Sequence, residues 1–457
     1  MQTLIKNYLY LFLLFFPIEV NSSDYVQVPP NEIMDFYSIV SEVSPKRISQ
    51  DINRLANFGT RHTLSEKVSD QRGIGAATRW IYSEFKKISD LCNGCIEVMY
   101  VSDSVSGESR IPSLTEIVNV IAIQRGSERP NDFVMMSGDI DSRVTDPLDG
   151  ISDSPGANDN ASGMAGVLEA ARVLSRREYA GSIIYAGLSG EEQGLFGGKI
   201  VAQHAIKQGW NIKAVLNNDM ISNIEGINGV INNSSVRIFS EGTRANETKN
   251  EALIRRFTGG EVDSPSRNLA RYIKKIGNQY IVNLDIKLIY RLDRYGRGGH
   301  HRPFNEVGIP AVRIMETNEH YDRQHQDLRS ENGRIFGDIM SGVDSDYAAK
   351  LTSLNLLTMA QIAGAPPIPI NVELSGAVTA SAKLKWDKAE LGSKFSGYKV
   401  HWRETSESEW TNSRFVGDVN EWEFENLVID NYFFGVSSVS KDGYETPVVF
   451  PGAAGRF

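Results

Sequence analysis

The run Gly181-Ser182-Ile183-Ile184-Tyr185-Ala186-Gly187-Leu188 leads straight into Ser189-Gly190-Glu191-Glu192-Gln193-Gly194-Leu195-Phe196-Gly197-Gly198. The first part is apolar or small almost throughout, the pattern of a strand covered on both faces. The glycines that follow suit a tight turn and a helix start. Two adjacent carboxylates at such a junction are costly as structure alone, because like charges repel and burial raises their pKa. They make sense together if one binds a metal ion and the other handles a proton.

Outward from this junction, short apolar strands and amphipathic helices alternate. Upstream, Ser44-Pro45 opens a helix with Ile48, Ile52 and Leu55 on one face and Gly59 beyond its end. A second helix is predicted over 73–88, with Trp80, Ile81, Phe85 and Ile88 inward. Strands are predicted at 95–101, 117–123 and 133–136. Then come helix 162–174, strand 182–186, helix 195–208 and strand 214–217. A last strand at 311–315 precedes a long helical tail over 331–362, and residues 23–44 read as a loose polar lead-in. This order predicts an α/β fold: a mostly parallel or mixed sheet sandwiched by helices. Ligands of such sheets sit at the carboxyl ends of strands, where Asp139, Glu191 and Asp219 fall.

At 363–369, Ala-Gly-Ala-Pro-Pro-Ile-Pro, the composition changes to a stiff linker, which predicts a domain boundary. Residues 370–457 read all-β, with strands at 383–386, 397–403, 421–424 and 432–438. A buried Trp386, the alternating Tyr398-Lys399-Val400-His401-Trp402 and Tyr432 after Leu427 point to a sandwich. Over 368–450 this region resembles a fibronectin type III module.

The 457 residues carry a net charge of −9 and contain no basic stretch, which argues against nucleic acid as a partner. Near the N-terminus, Lys6 precedes the apolar run Tyr8-Leu9-Tyr10-Leu11-Phe12-Leu13-Leu14-Phe15-Phe16, and small residues allow cleavage after Ser22. Residues 1–22 therefore read as a secretory signal peptide, with an uncleaved anchor as the alternative. No other segment approaches a spanning length, so the expected location is secreted or periplasmic. In that setting Cys92 and Cys95 are expected to form a small structural disulfide.

Four further segments supply what a metal site needs. They are Ser137-Gly138-Asp139-Ile140-Asp141-Ser142, Gly156-Ala157-Asn158-Asp159-Asn160-Ala161-Ser162-Gly163, Asn217-Asn218-Asp219-Met220-Ile221 and His320-Tyr321-Asp322-Arg323-Gln324-His325-Gln326-Asp327. Each alone reads as a turn or a helix cap. Carboxylates plus a histidine suit zinc, and a shared carboxylate can hold two ions about 3.5–4 Å apart.

In order and context these segments resemble the co-catalytic zinc aminopeptidases of metallopeptidase family twenty-eight, over roughly residues 45–362. Relatives of that family include glutamate carboxypeptidases and glutaminyl cyclases. The resemblance implies a peptidase domain over 23–362, two zinc ions and peptide substrates. Asp159 would bridge both ions, Glu192 and His325 would hold one, and Asp219 the other. Glu191 would be the general base and acid. The first ligand position, normally a histidine, is Asp139 here. Asp141, two residues on, then has no imidazole to orient. In Arg297-Gly298-Gly299-His300-His301-Arg302-Pro303-Phe304 the pattern expects an aspartate where this chain has His300. An exchange of roles follows as a hypothesis: His300 supplies the lost imidazole or neutralises the added carboxylate. The alternative is two independent drifts in a weakened site.

His204 and His62 read as packing or loop residues, His401 as part of the sandwich, and Met220 and Met315 as core. The expected activity is that of an exopeptidase, an aminopeptidase first. Arg297, Arg302 and Arg313 keep a carboxypeptidase open, since a terminal carboxylate needs arginines. A binding protein on a decayed peptidase scaffold is the non-enzymatic alternative, with its C-terminal module contacting protein or a cell-surface polymer.

Overall fold

The computed structural model describes residues 36–388, 392 and 394–456, so the leader expected at 1–22 lies outside the described residues. The chain begins with α1 (Phe36–Glu42), α2 (Pro45–Ala56) and α3 (Gly73–Leu91). Helix α1 corrects the loose lead-in expected there. Its Phe36 is buried, with its ring centroid 5.2 Å from that of Tyr280 and 5.9 Å from that of Tyr444. Helix α2 starts as its sequence asks: the Ser44 side chain accepts from the Arg47 N–H, and Pro45 sits where no helical N–H is needed. Its Ile48, Ile52 and Leu55 are fully buried.

Three strands follow, β1 (Ile96–Val105), β2 (Thr115–Gln124) and β3 (Arg129–Asp139). After an irregular wide turn at Ala157–Ser162 come α4 (Gly163–Leu174), β4 (Gly181–Leu188), α5 (Phe196–Gln208), β5 (Asn211–Asn218) and β6 (Ser235–Phe239). Next are α6 (Lys249–Thr258), α7 (Pro265–Tyr280), β7 (Asp285–Ile289), α8 (His301–Glu306) and β8 (Ala311–Glu316). Strands β6 and β7 and helices α6 and α7 lie between the strands predicted at 214–217 and 311–315, where no element is predicted. Yet α7 carries a plain start signal, Ser264 accepting from the Arg267 N–H ahead of Pro265.

The eight strands form one mixed sheet in the order β1-β2-β4-β3-β5-β8-β6-β7. The central pairs β4–β3, β3–β5 and β5–β8 are parallel, while β1–β2, β2–β4 and β8–β6 are antiparallel. Alternate residues of β4 enter separate cores. Ile183 and Tyr185 pack with α2, α3, α4, α7 and α9 (Ser345–Gly364), whereas Ile184, Ala186 and Leu188 pack with α5 and α8. Helices therefore cover both faces of the sheet. The parallel centre makes β3, β4 and β5 end on the same edge, which puts Asp139, Glu191 and Asp219 together.

The helical tail expected over 331–362 is corrected in its first part. A hairpin, β9 (Arg329–Glu331) and β10 (Arg334–Phe336), occupies the start, because Asn332 and Gly333 adopt φ of 51° and 77° and turn the chain back. Helix α9 begins only after Asp344, whose carboxylate accepts from the Tyr347 N–H. It ends at Gly364, two residues into the predicted linker.

The remainder forms two three-stranded sheets. One is β11 (Ile370–Ser375), β12 (Ala382–Asp387) and β15 (Glu421–Phe424); the other is β14 (Asn412–Gly417), β13 (Phe395–Glu404) and β16 (Tyr432–Ser440). Trp386, Tyr398, Val400, Phe424 and Phe434 fill the space between them. This all-β part is clamped to the α/β part. The buried Asp263 lies 2.7 Å from Arg271 on α7 and 2.7 Å from Arg403 on β13. The Tyr272 hydroxyl donates to the Glu445 carbonyl at 2.6 Å, and Lys275 pairs with the Glu445 carboxylate at 2.7 Å. Cys92 and Cys95 form the expected disulfide. Among the described residues no helix is long and apolar enough to cross a membrane.

Candidate metal centre

The turn from β4 to α5 places the two glutamates. Gly190 takes φ of +71°, open to glycine without strain, and the chain reverses there. Asp141, just past the end of β3, accepts from the N–H of Glu191 at 3.2 Å and of Glu192 at 3.0 Å. Its function in the fold is thus to hold the glutamate turn rather than a ring. Asp159 comes from the irregular turn before α4. Its N–H donates to the Asp338 carboxylate at 2.6 Å, and the Asn158 N–H donates to the same group at 2.8 Å. Helix α4 can start this close to the sheet because Gly138 faces Gly163; a Cβ on Gly138 would lie 2.6 Å from the Gly163 carbonyl carbon.

His325 meets these groups from the loop after β8. Its Nε2 lies 2.9 Å from Asp159 Oδ2 and 2.9 Å from Glu192 Oε1. Donor atoms of the three residues all lie within 4.8 Å of one another. One imidazole nitrogen and two carboxylate oxygens are a donor set that zinc accepts, so these residues fit the ion the sequence implied. Arg143 fixes two of them: its Nε donates to Glu192 Oε2 at 2.8 Å and its Nη2 to His325 Nδ1 at 2.7 Å. A donor on Nδ1 leaves the ring proton on Nε2, pointing between two carboxylates where a cation held by all three would sit. His325 also adopts φ of +53°, a backbone conformation costing a non-glycine residue roughly 1 kcal/mol.

The other expected ligands stand outside this trio. Asp219 Oδ2 lies 2.9 Å from Arg313 Nη2, and the Arg313 Nε donates to the Asp219 carbonyl at 2.7 Å. Arg313, fully buried, also pairs with Asp293 at 2.9 Å. Asp139 accepts from Asn160 Nδ2 at 2.6 Å, and its Oδ1 lies 2.6 Å from His300 Nδ1. The opposite ring nitrogen of His300, Nε2, is buried without a partner. Among the described residues no other trio of His, Cys, Asp and Glu brings donor atoms as close as the first one.

Burial dominates the titration of these carboxylates. Burial, with the neighbouring carboxylates adding to it, pushes Asp139 and Asp219 up to about 8 and Asp141 up to about 7. Glu191 is raised well above the ordinary range by burial, then by Asp219 and Glu192. Burial works the same way on Asp159, but the hydrogen bond and charge of His325, with the charges of Arg294 and Arg313, hold it well below its usual value. Burial lowers His300 to about 4. The cleft above holds Glu191, Glu192, Asp159, Asp219 and His325 against Arg110, Arg143, Arg294, Arg297 and Arg302.

Arg143 and Asp338 do not stand out in the sequence, and Asn160 reads there only as part of a turn or helix cap. Arg143 follows Asp141-Ser142 directly, so that segment carried a signal for it. Asp338 lies in the stretch read as helix, and only the long-range fold brings it under Asp159. His62 hydrogen-bonds the Pro147 carbonyl at 3.0 Å and Gln193 at 2.9 Å, the loop function expected of it. His204 sits edge-on to Trp210, His401 is buried in the sandwich, and Met220 and Met315 are core.

Fold and donor set together define a class: an α/β protein with a histidine–carboxylate trio that could hold a metal ion at the carboxyl ends of its central parallel strands. Residues 119–340 match Peptidase family M28. A protein of Leptosphaeria maculans described as a probable zinc metalloprotease is 40% identical over 427 residues, covering 93% of this chain and 98% of its own. Another so described, from Pyricularia oryzae, is 40% identical over 423 residues, covering 91% and 84%. The chain belongs to Peptidase family M28. Its fold is also similar to the solved LapA aminopeptidase of Legionella pneumophila, with a TM-score of 0.53 at 18% identity over 74% of this chain and 78% of that one. LapB of the same organism gives 0.52 at 17%, over 74% and 76%. At such identities the likeness speaks for the fold alone.

Proposed function

We propose that this chain is a secreted zinc-dependent exopeptidase, an aminopeptidase that removes N-terminal residues from peptides. The observation that carries this reading is the convergence of Asp159, Glu192 and His325 on one point, beside Glu191 in the same cleft. When bound there, zinc supplies Lewis-acid polarisation of the scissile carbonyl and acidifies water. Glu191 takes the proton from the attacking water and passes it to the leaving amine. Asp141 serves this step by fixing the backbone on which Glu191 stands. Arg143 and Asp338 hold the ligands Glu192, His325 and Asp159 in place.

A second ion belongs to the same reading, with Asp159 as the shared carboxylate. Asp219 would leave Arg313 for it, and the Asp139–His300 pair would supply the remaining donor. His300 is the better candidate, since Nε2 is free while both oxygens of Asp139 are engaged. Secretion rests on the leader at 1–22. The C-terminal sandwich, read as a fibronectin type III-like module, is a brace for α7, given the Asp263–Arg403 and Tyr272–Glu445 contacts.

Arg297 and Arg302 at the cleft favour one second reading, a carboxypeptidase-type exopeptidase of the same fold. Arg313 is not available for that purpose, because it is buried and paired. Amino-acid para-nitroanilides against N-blocked dipeptides separate the two. Cleavage of the first set is expected; cleavage of the blocked set alone would replace the aminopeptidase by the carboxypeptidase.

A further inference from the structure

Three guanidinium groups at the cleft have no close carboxylate partner. Arg143 is spent on Glu192, His325 and the carbonyls of Val144 and Thr145. Arg294 pairs with Glu319 at 2.8 Å. Arg110 differs: it is exposed, and its recorded contact is a donation to the Glu192 carbonyl at 2.6 Å. Arg302 finds its nearest carboxylate, Glu306, only at 3.9 Å, and its Nε is buried without a partner. It packs over Gly298 so closely that a Cβ there would lie 2.8 Å from its Nη1. Arg297 is exposed, and its guanidinium has no hydrogen bond or ion pair among the described residues.

Gathering like charges costs energy that ion pairs normally offset. In a chain of net charge −9, three arginines without a close carboxylate partner around one cleft leave a local positive rim. A planar guanidinium matches a carboxylate with two parallel hydrogen bonds, and such a contact is strong where water is partly excluded. The buried Nε of Arg302 is a donor already stripped of water and still without an acceptor.

We propose that Arg110, Arg297 and Arg302 bind a carboxylate of the substrate close to the scissile bond. The preferred substrate is then a short peptide with an anionic group at that point, either a free C-terminus, as in a dipeptide, or an Asp or Glu side chain. This rests on the peptidase reading of the same cleft and narrows it to a substrate class. The site is separate from the donor atoms proposed for zinc.

Four substrates on the zinc-loaded full chain test it: Ala-Ala against Ala-Ala amide, and Ala-Glu amide against Ala-Gln amide. At least one anionic member is expected to exceed its neutral twin about tenfold in kcat/KM. The first pair reports a C-terminal carboxylate and the second a side chain. Arg297→Ala and Arg302→Ala should remove the preference through KM, with the neutral twins unchanged and Arg302→Lys recovering part of it. Equal rates within both pairs, or losses that fall alike on anionic and neutral members, would overturn the proposal. If no member is hydrolysed, the peptidase reading fails, and calorimetric titration with the same four peptides decides the anion site. Binding of the anionic members alone sustains it; equal or no binding of all four refutes it.

Discussion

Oδ1 of Asp139 lies 2.6 Å from Nδ1 of His300, and both side chains are buried. Either residue alone would be a poor fit in this interior: a carboxyl short of a donor, or a ring short of an acceptor. Together they satisfy each other, and Nε2 of His300 is left without a partner. His300→Ala should cost roughly 1–3 kcal/mol of stability, because it strands the Asp139 carboxyl. Asp139→His should likewise destabilise, by setting two rings side by side. The reciprocal double variant, Asp139→His with His300→Asp, should recover stability and bound zinc towards the starting protein. Chemical denaturation and metal content after dialysis are the readouts. A double variant worse than both singles would show that the two positions are not an exchanged pair.

Arg143 touches two proposed zinc ligands at once. Replacing it by Ala frees Glu192 and the His325 ring to turn away. Loss of such a supporting contact lowers metal affinity by about 10–100-fold. Competition with a chelator of known affinity measures this directly. An unchanged zinc affinity would mean that the trio is positioned by the backbone alone.

Asp263 joins the two parts of the chain, buried between Arg271 and Arg403. Asp263→Ala would leave two buried guanidinium groups without their shared counter-charge. Breaking a buried pair in this way costs about 3–5 kcal/mol. The expected result is a large fall in the denaturation midpoint, with the β-sandwich releasing from α7. A fall under about 1 kcal/mol would show that the clamp is solvated in solution.

Burial pushes the Glu241 carboxyl up to about 7 from its ordinary 4.5. The folded protein therefore holds that proton more tightly than the unfolded chain does. The group costs no stability below about pH 4.5, and its penalty grows as pH rises from there to about 7. Above that window the charged form is buried at full cost, roughly 3 kcal/mol. Glu241→Gln should remove this penalty, so the variant's advantage opens between those pH values and stays constant above them. Parallel pH dependences of the two proteins would contradict it.

The parts that the sequence revealed are those written locally. Each central strand is a short apolar run leading into Asp139, Glu191 or Asp219, so the edge carrying the site follows once the pairing is parallel. The start of α2 is spelled out by Ser44 and Pro45. The rest depends on contacts across the chain. Asp338 works only because the loop before α9 returns under Asp159. The hairpin at 329–336 sits where Leu328, Ile335 and Phe336 mimic a helical stripe, and only Asn332-Gly333 betrays the turn. Arg313 has the composition of a substrate-binding arginine, yet its strand points it into the core against Asp219 and Asp293. Whether a charged residue is spent inside or offered to a ligand is decided by its partners, and these are long-range.

The central claim is that Asp159, Glu192 and His325 hold zinc for a reaction in which Glu191 moves the proton. The most direct measurement compares the full chain with its Glu191→Gln variant, recording zinc per chain and hydrolysis of an aminoacyl para-nitroanilide panel on the same samples. The account predicts equal zinc in both proteins and turnover lowered at least about 100-fold in the variant. Undiminished turnover in Glu191→Gln, or a wild-type protein that binds no zinc, would contradict it.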